Sequence, residues 1–163
     1  MAATTSGTAK VTLPADNQIL ITREFAAPRA KVWRAYTEPE LIKRWWAGKK
    51  GTVTSVDVDL RIGGRWRYVM TANGGFEVAF HGEFRMIDAP SLLINTEAFE
   101  GVPDPEATAG LVTVTLTERD GRTYMELLCE YPDKAVRDAV IDSGMESGMQ
   151  ESYDILEEVA AAL

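Results

Sequence analysis

His81 is the only histidine in the 163-residue chain, so any imidazole chemistry near neutral pH must run through it. A histidine-rich metal site is thereby excluded, and a Ser-His-Asp arrangement would rest on this one side chain. Its segment, Phe76-Glu-Val-Ala-Phe-His-Gly-Glu-Phe84, alternates. Phe76, Val78, Phe80, Gly82 and Phe84 fall on one face, and Glu77, Ala79, His81 and Glu83 on the other. The second face reads as the solvent side, where Glu77 and Glu83 would raise the imidazole pKa if they point the same way. Tyr68 and Tyr153 are phenols on apolar faces, so each needs an internal partner, which a ligand or a water in a cavity supplies. Glu97 lies in the apolar run of residues 92–99. An inward carboxylate there would titrate high, and the expectation is that it points outward. Cys129, the single cysteine, has neither a histidine nor a helix N-terminus beside it and reads as a small buried hydrophobe. No catalytic set, metal site or cofactor is assigned. The Gly63-Gly64 pair sits between two strands with no helix after it, so it reads as a turn or bulge and not as a phosphate cradle.

The elements that must position these groups follow from the pattern. Residues 18–25, Gln-Ile-Leu-Ile-Thr-Arg-Glu-Phe, read as a first strand. Pro28 then opens a short helix whose stripe is Val32, Trp33 and Tyr36, and a second short helix carries Leu41, Ile42 and Trp45. From Gly51 strands dominate. Trp66, Tyr68 and Met70 alternate against Arg65, Arg67 and Val69, and hairpins are expected at Asn73-Gly74-Gly75 and Asp120-Gly121. Asp133 can cap a helical stretch through Val140, and Gly144 allows a break. Met145, Met149, Tyr153 and Leu156 then recur at three and four along an amphipathic helix of about 18 residues. Consecutive hairpins imply antiparallel pairing, and one long final helix has only the sheet to pack against. The fold class is α+β: a curved antiparallel sheet of six to seven strands wrapped around a long C-terminal helix, with two short helices after strand 1.

Formal net charge is -8, from 17 basic and 25 acidic residues, which disfavours nucleic acid and anionic membrane surfaces as partners. The one basic cluster, Lys43, Arg44, Lys49 and Lys50, reads as a solvated helix end and turn. No run approaches the ~20 apolar residues of a membrane span, and the N-terminus lacks the basic and apolar regions of a signal peptide. Residues 1–16 are expected to form a flexible tail, residues 17–163 a single domain, and the location to be cytoplasmic.

Several runs carry a resemblance. Phe25-Ala-Ala-Pro-Arg-Ala-Lys-Val-Trp33-Arg-Ala-Tyr36-Thr resembles the opening of the SRPBCC (START-related) superfamily. Leu41-Ile-Lys-Arg-Trp-Trp46 and Val58-Asp-Leu-Arg-Ile-Gly-Gly-Arg-Trp66-Arg-Tyr68 resemble its branch with homology to the activator of the heat-shock-protein-90 ATPase. Phe80-His-Gly-Glu-Phe84, Gly121-Arg-Thr123 and the block from Ser143 to Leu156 match in order, so the likeness spans residues 18–161. It implies a helix-grip fold with an elongated cavity between sheet and last helix. The cavity candidates are Trp46, Trp66, Tyr68, Met70, Phe80, Met125, Met145, Met149 and Tyr153, with Gly144 and Gly148 leaving room beside the methionines. The leading expectation is non-catalytic binding of a small hydrophobic or aromatic molecule. Two other readings stay open. One is a cyclase-, hydratase- or aldol-type enzyme on a polyketide-like substrate, with Tyr68, His81 or a glutamate as acid or base. The other is a chaperone-associated or self-associating (homodimer) module with an exposed apolar patch around Trp45-Trp46.

Overall fold

The computed structural model of the chain describes residues 3, 4 and 8–163. Among them the order is β1 (Ala3–Thr4), β2 (Lys10–Thr12), β3 (Gln18–Phe25), α1 (Arg29–Thr37), α2 (Pro39–Trp45), β4 (Gly51–Val58), β5 (Arg65–Ala72), β6 (Glu77–Asp88), β7 (Leu92–Phe99), a 3₁₀ turn (Pro105–Thr108), β8 (Gly110–Arg119), β9 (Arg122–Glu130), α3 (Lys134–Asp142) and α4 (Met145–Ala161). The strands form one antiparallel sheet in the order β1-β2-β3-β9-β8-β7-β6-β5-β4, curved and unclosed.

That order explains the two early helices. Strands β4 to β9 form a meander that returns to β3, so the link from β3 must cross the sheet to reach its far edge. Helices α1 and α2 make that crossing, and both pack on α4. Pro39 occupies the first turn of α2, where its missing N–H removes nothing. Asp120 and Gly121 both take positive φ (53° and 74°) and close the β8–β9 hairpin as expected; Gly75 (86°) does the same after β5. Asp133 caps α3 by accepting from Val136 N–H at 2.9 Å. Gly144, at φ 82°, breaks the chain between α3 and α4.

The concave face buries Ile19, Ile21 and Phe25 of β3, Val112, Val114 and Leu116 of β8, and Met125, Leu127 and Cys129 of β9. Helix α4 lays Met149, Tyr153, Leu156, Val159 and Ala160 against them. Phe25 meets Tyr153 edge-on at 6.1 Å. Arg23, buried on the same face, pairs with Asp154 at 2.6 Å and Glu157 at 3.5 Å and so ties β3 to α4.

One expectation is corrected. The segment read as a tail over residues 1–16 contains β2, which pairs with β3 and raises the strand count above seven. Val11 and Ala9 are buried. The Gln150 side chain on α4 closes a two-way hydrogen bond with Ala9, accepting from its N–H at 3.0 Å and donating to its carbonyl at 2.7 Å. Polar composition hid this, because β2 is held by backbone pairing and a single inward valine. Residues 1, 2 and 5–7 of that tail lie outside the described residues.

Candidate functional site

Between the concave face of the sheet and helices α3 and α4 lies a cavity of about 680 Å³. Three consecutive inward positions of β5, Trp66, Tyr68 and Met70, build part of one wall, and Phe80 of β6 continues it. Trp46, in the turn after α2, adds a ring that meets Tyr68 at 5.4 Å and Phe80 at 5.8 Å, both edge-on. Trp66 and Tyr68 are 4.7 Å apart. The opposite wall is α4, through Met145, Gly148, Met149, Ser152 and Tyr153. Thus eight of the nine candidate side chains border the cavity. Met125 does not: it shares their face of the sheet but is fully buried in the packed core. Strand alternation assigns a face but not a position along it, so this distinction was out of reach of the pattern.

Trp66 is held by a hydrogen bond from its indole N–H to the Thr96 carbonyl at 3.2 Å. Gly82 makes this approach possible, since a Cβ there would lie 1.9 Å from that same oxygen and 2.5 Å from the indole nitrogen. Gly148 has the opposite character. A Cβ at that position meets nothing within 4 Å, so the residue leaves open cavity next to the helix. Phe99, Ala139 and Ser143 are exposed members of the wall and mark where the cavity opens, beside the β7–β8 loop that contributes Val102 and Thr108.

Glu97 is the main correction. It points into the cavity, in phase with Leu93, Asn95 and Phe99. Strand β7 carries Leu92 and Ile94 on its outer side and mixes Asn95 and Glu97 with Leu93 and Phe99 on its inner side, so the usual apolar-in pattern is blurred there. Burial alone pushes the Glu97 carboxyl up to about 7. Its charge in turn raises the pKa of Tyr36, Tyr68, Tyr131, Tyr153 and Cys129, which all border the cavity. For each of these five, burial is the larger cause. The Cys129 thiol therefore stays protonated and is no nucleophile. Tyr36, Tyr131 and Asn95 also border the cavity, and the sequence reading did not single them out as site residues.

His81 faces away from the cavity, as its alternation implied. Its partners, however, are distant in sequence. Nδ1 meets Glu100 at 2.8 Å and Nε2 meets Glu106, while Arg67 grips Glu100 through two bonds at 2.8 and 2.9 Å. Hydrogen bonding to Glu106 raises the imidazole pKa most, burial opposes it, and the hydrogen bond to Glu100 adds a smaller rise. Glu77 and Glu83, expected in that role, do not supply it. Bonding to Arg67 holds Glu100 down to about 2. Cross-strand pairing of Arg67, His81 and Ala98 brings these groups together. Trp45 is also corrected: it is buried, with its indole N–H donating to the Ala35 carbonyl at 2.8 Å, and Trp46 turns into the cavity, so no exposed patch forms there. Among the described residues no group of His, Cys, Asp and Glu could hold a metal ion, and no helix is long and apolar enough to cross a membrane.

This architecture is shared. A Rhodobacter sphaeroides protein of solved structure superposes with a TM-score of 0.86 at 27% identity, over 95% of this chain and 99% of that one. A Mycobacterium smegmatis protein gives 0.81 at 28% identity over 99% and 97%, and a Nitrosomonas europaea protein 0.81 at 26% over 92% and 97%. No functionally curated protein matches the chain. The family model described as "Activator of Hsp90 ATPase homolog 1-like protein" matches residues 26–161, from the strand–helix opening to the last turn of α4. On that match, and on the helix-grip geometry above, the chain belongs to the family of Activator of Hsp90 ATPase homolog 1-like proteins.

Proposed function

We propose that this chain is a non-catalytic binding protein for a small hydrophobic or aromatic molecule, held between the sheet and the C-terminal helix. The observation that carries the reading is the cavity of about 680 Å³, walled largely by aromatic, aliphatic and methionine side chains. Its size falls in the range of about 300–1,000 Å³ typical of small-molecule sites. Gly148 and the two methionines argue the same way, since larger or stiffer side chains at those positions would fill the space.

Native mass spectrometry of freshly purified protein tests the reading. The expected result is a mass excess that is lost on unfolding. A bare chain mass, together with no measurable affinity for neutral aromatic probes, would overturn it.

A second reading, acid–base chemistry on the bound molecule, is favoured by one observation: the Glu97 carboxyl, poised at about 7, shares the cavity with Tyr68 and Tyr153. It requires that a co-purifying compound be converted on incubation with the native protein and not with Glu97→Gln. Recovery of the compound unchanged from both would leave binding alone.

A further inference from the structure

The cavity wall has a polarity that simple hydrophobic binding does not require. Among the described residues only two charged side chains border it, Lys50 and Glu97. Lys50 is exposed and faces Glu151 at 3.7 Å, so its charge is already answered outside the cavity. Glu97 is different. It has no hydrogen bond or ion pair from any described residue, and burial is the sole cause acting on its carboxyl. The half-buried carboxylate faces the cavity space without a cation of the protein against it.

The cavity that Glu97 borders carries aromatic rings on both its sides. On the sheet side stand Trp66, Tyr68, Trp46 and Phe80, linked ring to ring at 4.7 to 5.8 Å. On the helix side, Tyr36 stacks on Trp45 at 5.7 Å, and Trp45 meets Tyr153 at 6.2 Å. Glu97 borders the same cavity as both groups of rings. Ring faces attract cations, most strongly when water is excluded, and the attraction adds to that of one carboxylate. Neutral aromatic ligands would gain from the rings but would leave the carboxylate unanswered.

We infer that the ligand is a hydrophobic amine, whose protonated nitrogen meets Glu97 while its apolar body lies against the Trp46, Trp66, Tyr68 and Phe80 rings. The inference rests on the cavity-binding reading and narrows its ligand class. Isothermal titration with a matched pair of probes, naphthylethylamine and naphthylethanol, separates the two. The native protein is expected to bind the amine more tightly than the alcohol by about 10- to 100-fold, the range of a desolvated charge-assisted contact. In Glu97→Gln, shown to be folded by its thermal unfolding, that preference is expected to fall to within about threefold. If the alcohol binds the native protein as well as the amine does, the inference is overturned and cavity binding stands. An amine preference that survives in Glu97→Gln would reflect the protein's overall charge of -8 and also overturns it. If neither probe binds, both readings fall.

Discussion

At the scale of single residues, the decisive group is Glu97, because its environment sets both its proton affinity and its effect on stability. Its carboxyl, ordinarily near 4.5, rises to about 7 on folding. The folded state therefore holds a proton that the unfolded state has already released. The Glu97 contribution to stability is expected to be most favourable below pH 4.5, to fall as pH rises from 4.5 to 7, and to carry the full penalty above 7. Replacing Glu97 by Gln removes the ionisation. Urea unfolding at pH 8 should show Glu97→Gln more stable than the native protein by about 1–3 kcal/mol, with the gap closing toward pH 4. An equal or lower stability at pH 8 would mean that the carboxylate has an unseen partner. Pattern reading missed this residue for a physical reason. The outer side of β7 is as apolar as the inner side, with Leu92 and Ile94 against Leu93 and Phe99, so period-two alternation carries no face information there. Trp66, Tyr68 and Met70 were legible because arginines mark the opposite face of β5.

At the scale of elements, two contacts hold the cavity wall in shape, and neither could be read from sequence spacing. The first joins β6 to β7 at Gly82. A side chain there collides with the Thr96 carbonyl, and backbone cannot swing away as a flexible side chain can. Gly82→Ala is expected to destabilise the fold by about 1–3 kcal/mol, as overpacking against fixed structure does. It should also shift Trp66 fluorescence, since the indole loses its hydrogen bond to that carbonyl. Unchanged stability would show that the strands part more easily than their pairing implies. The second contact is the cluster of Arg67, His81, Glu100 and Glu106 on the outer face. Glu106 belongs to the 3₁₀ turn whose Thr108 borders the cavity, so the imidazole fastens part of the wall from behind. A raised folded pKa makes that contribution complete below pH 6.5, the ordinary histidine value, and it is lost as pH rises through the folded value. Backbone amides of residues 100–109 should therefore lose exchange protection relative to the rest of the sheet at high pH. In His81→Ala that loss is expected to be present already at pH 6. A pH-independent protection pattern would remove His81 from the wall. The sequence placed His81 on the correct face and missed its partners, because Glu100 and Glu106 reach it through strand pairing and a loop and not through neighbours in its own strand.

For the whole molecule, the grip of sheet on helix is legible in the sequence, from strand order, hairpin signals and one long final amphipathic helix. The β2 contribution was not, since three residues of mixed polarity carry no periodicity. What the sequence could not supply was the emptiness between the layers. A methionine or tyrosine face reads the same whether it packs against atoms or against space, and Met125, which packs, and Met149, which borders the void, look alike in the chain. Gly148 separates the two cases experimentally. In a packed helix interface a larger residue there would clash; here it projects into open cavity. Gly148→Phe should keep or raise helix stability, because glycine costs roughly 0.5–1 kcal/mol within a helix, and should remove the space a ligand needs. The most direct test of cavity binding is therefore a paired measurement on Gly148→Phe: thermal unfolding, and titration with naphthylethanol. The expected result is an unfolding midpoint equal to or above that of the native protein and an affinity at least about tenfold weaker. Equal affinity in a folded Gly148→Phe protein would place the ligand elsewhere and contradict binding in the cavity.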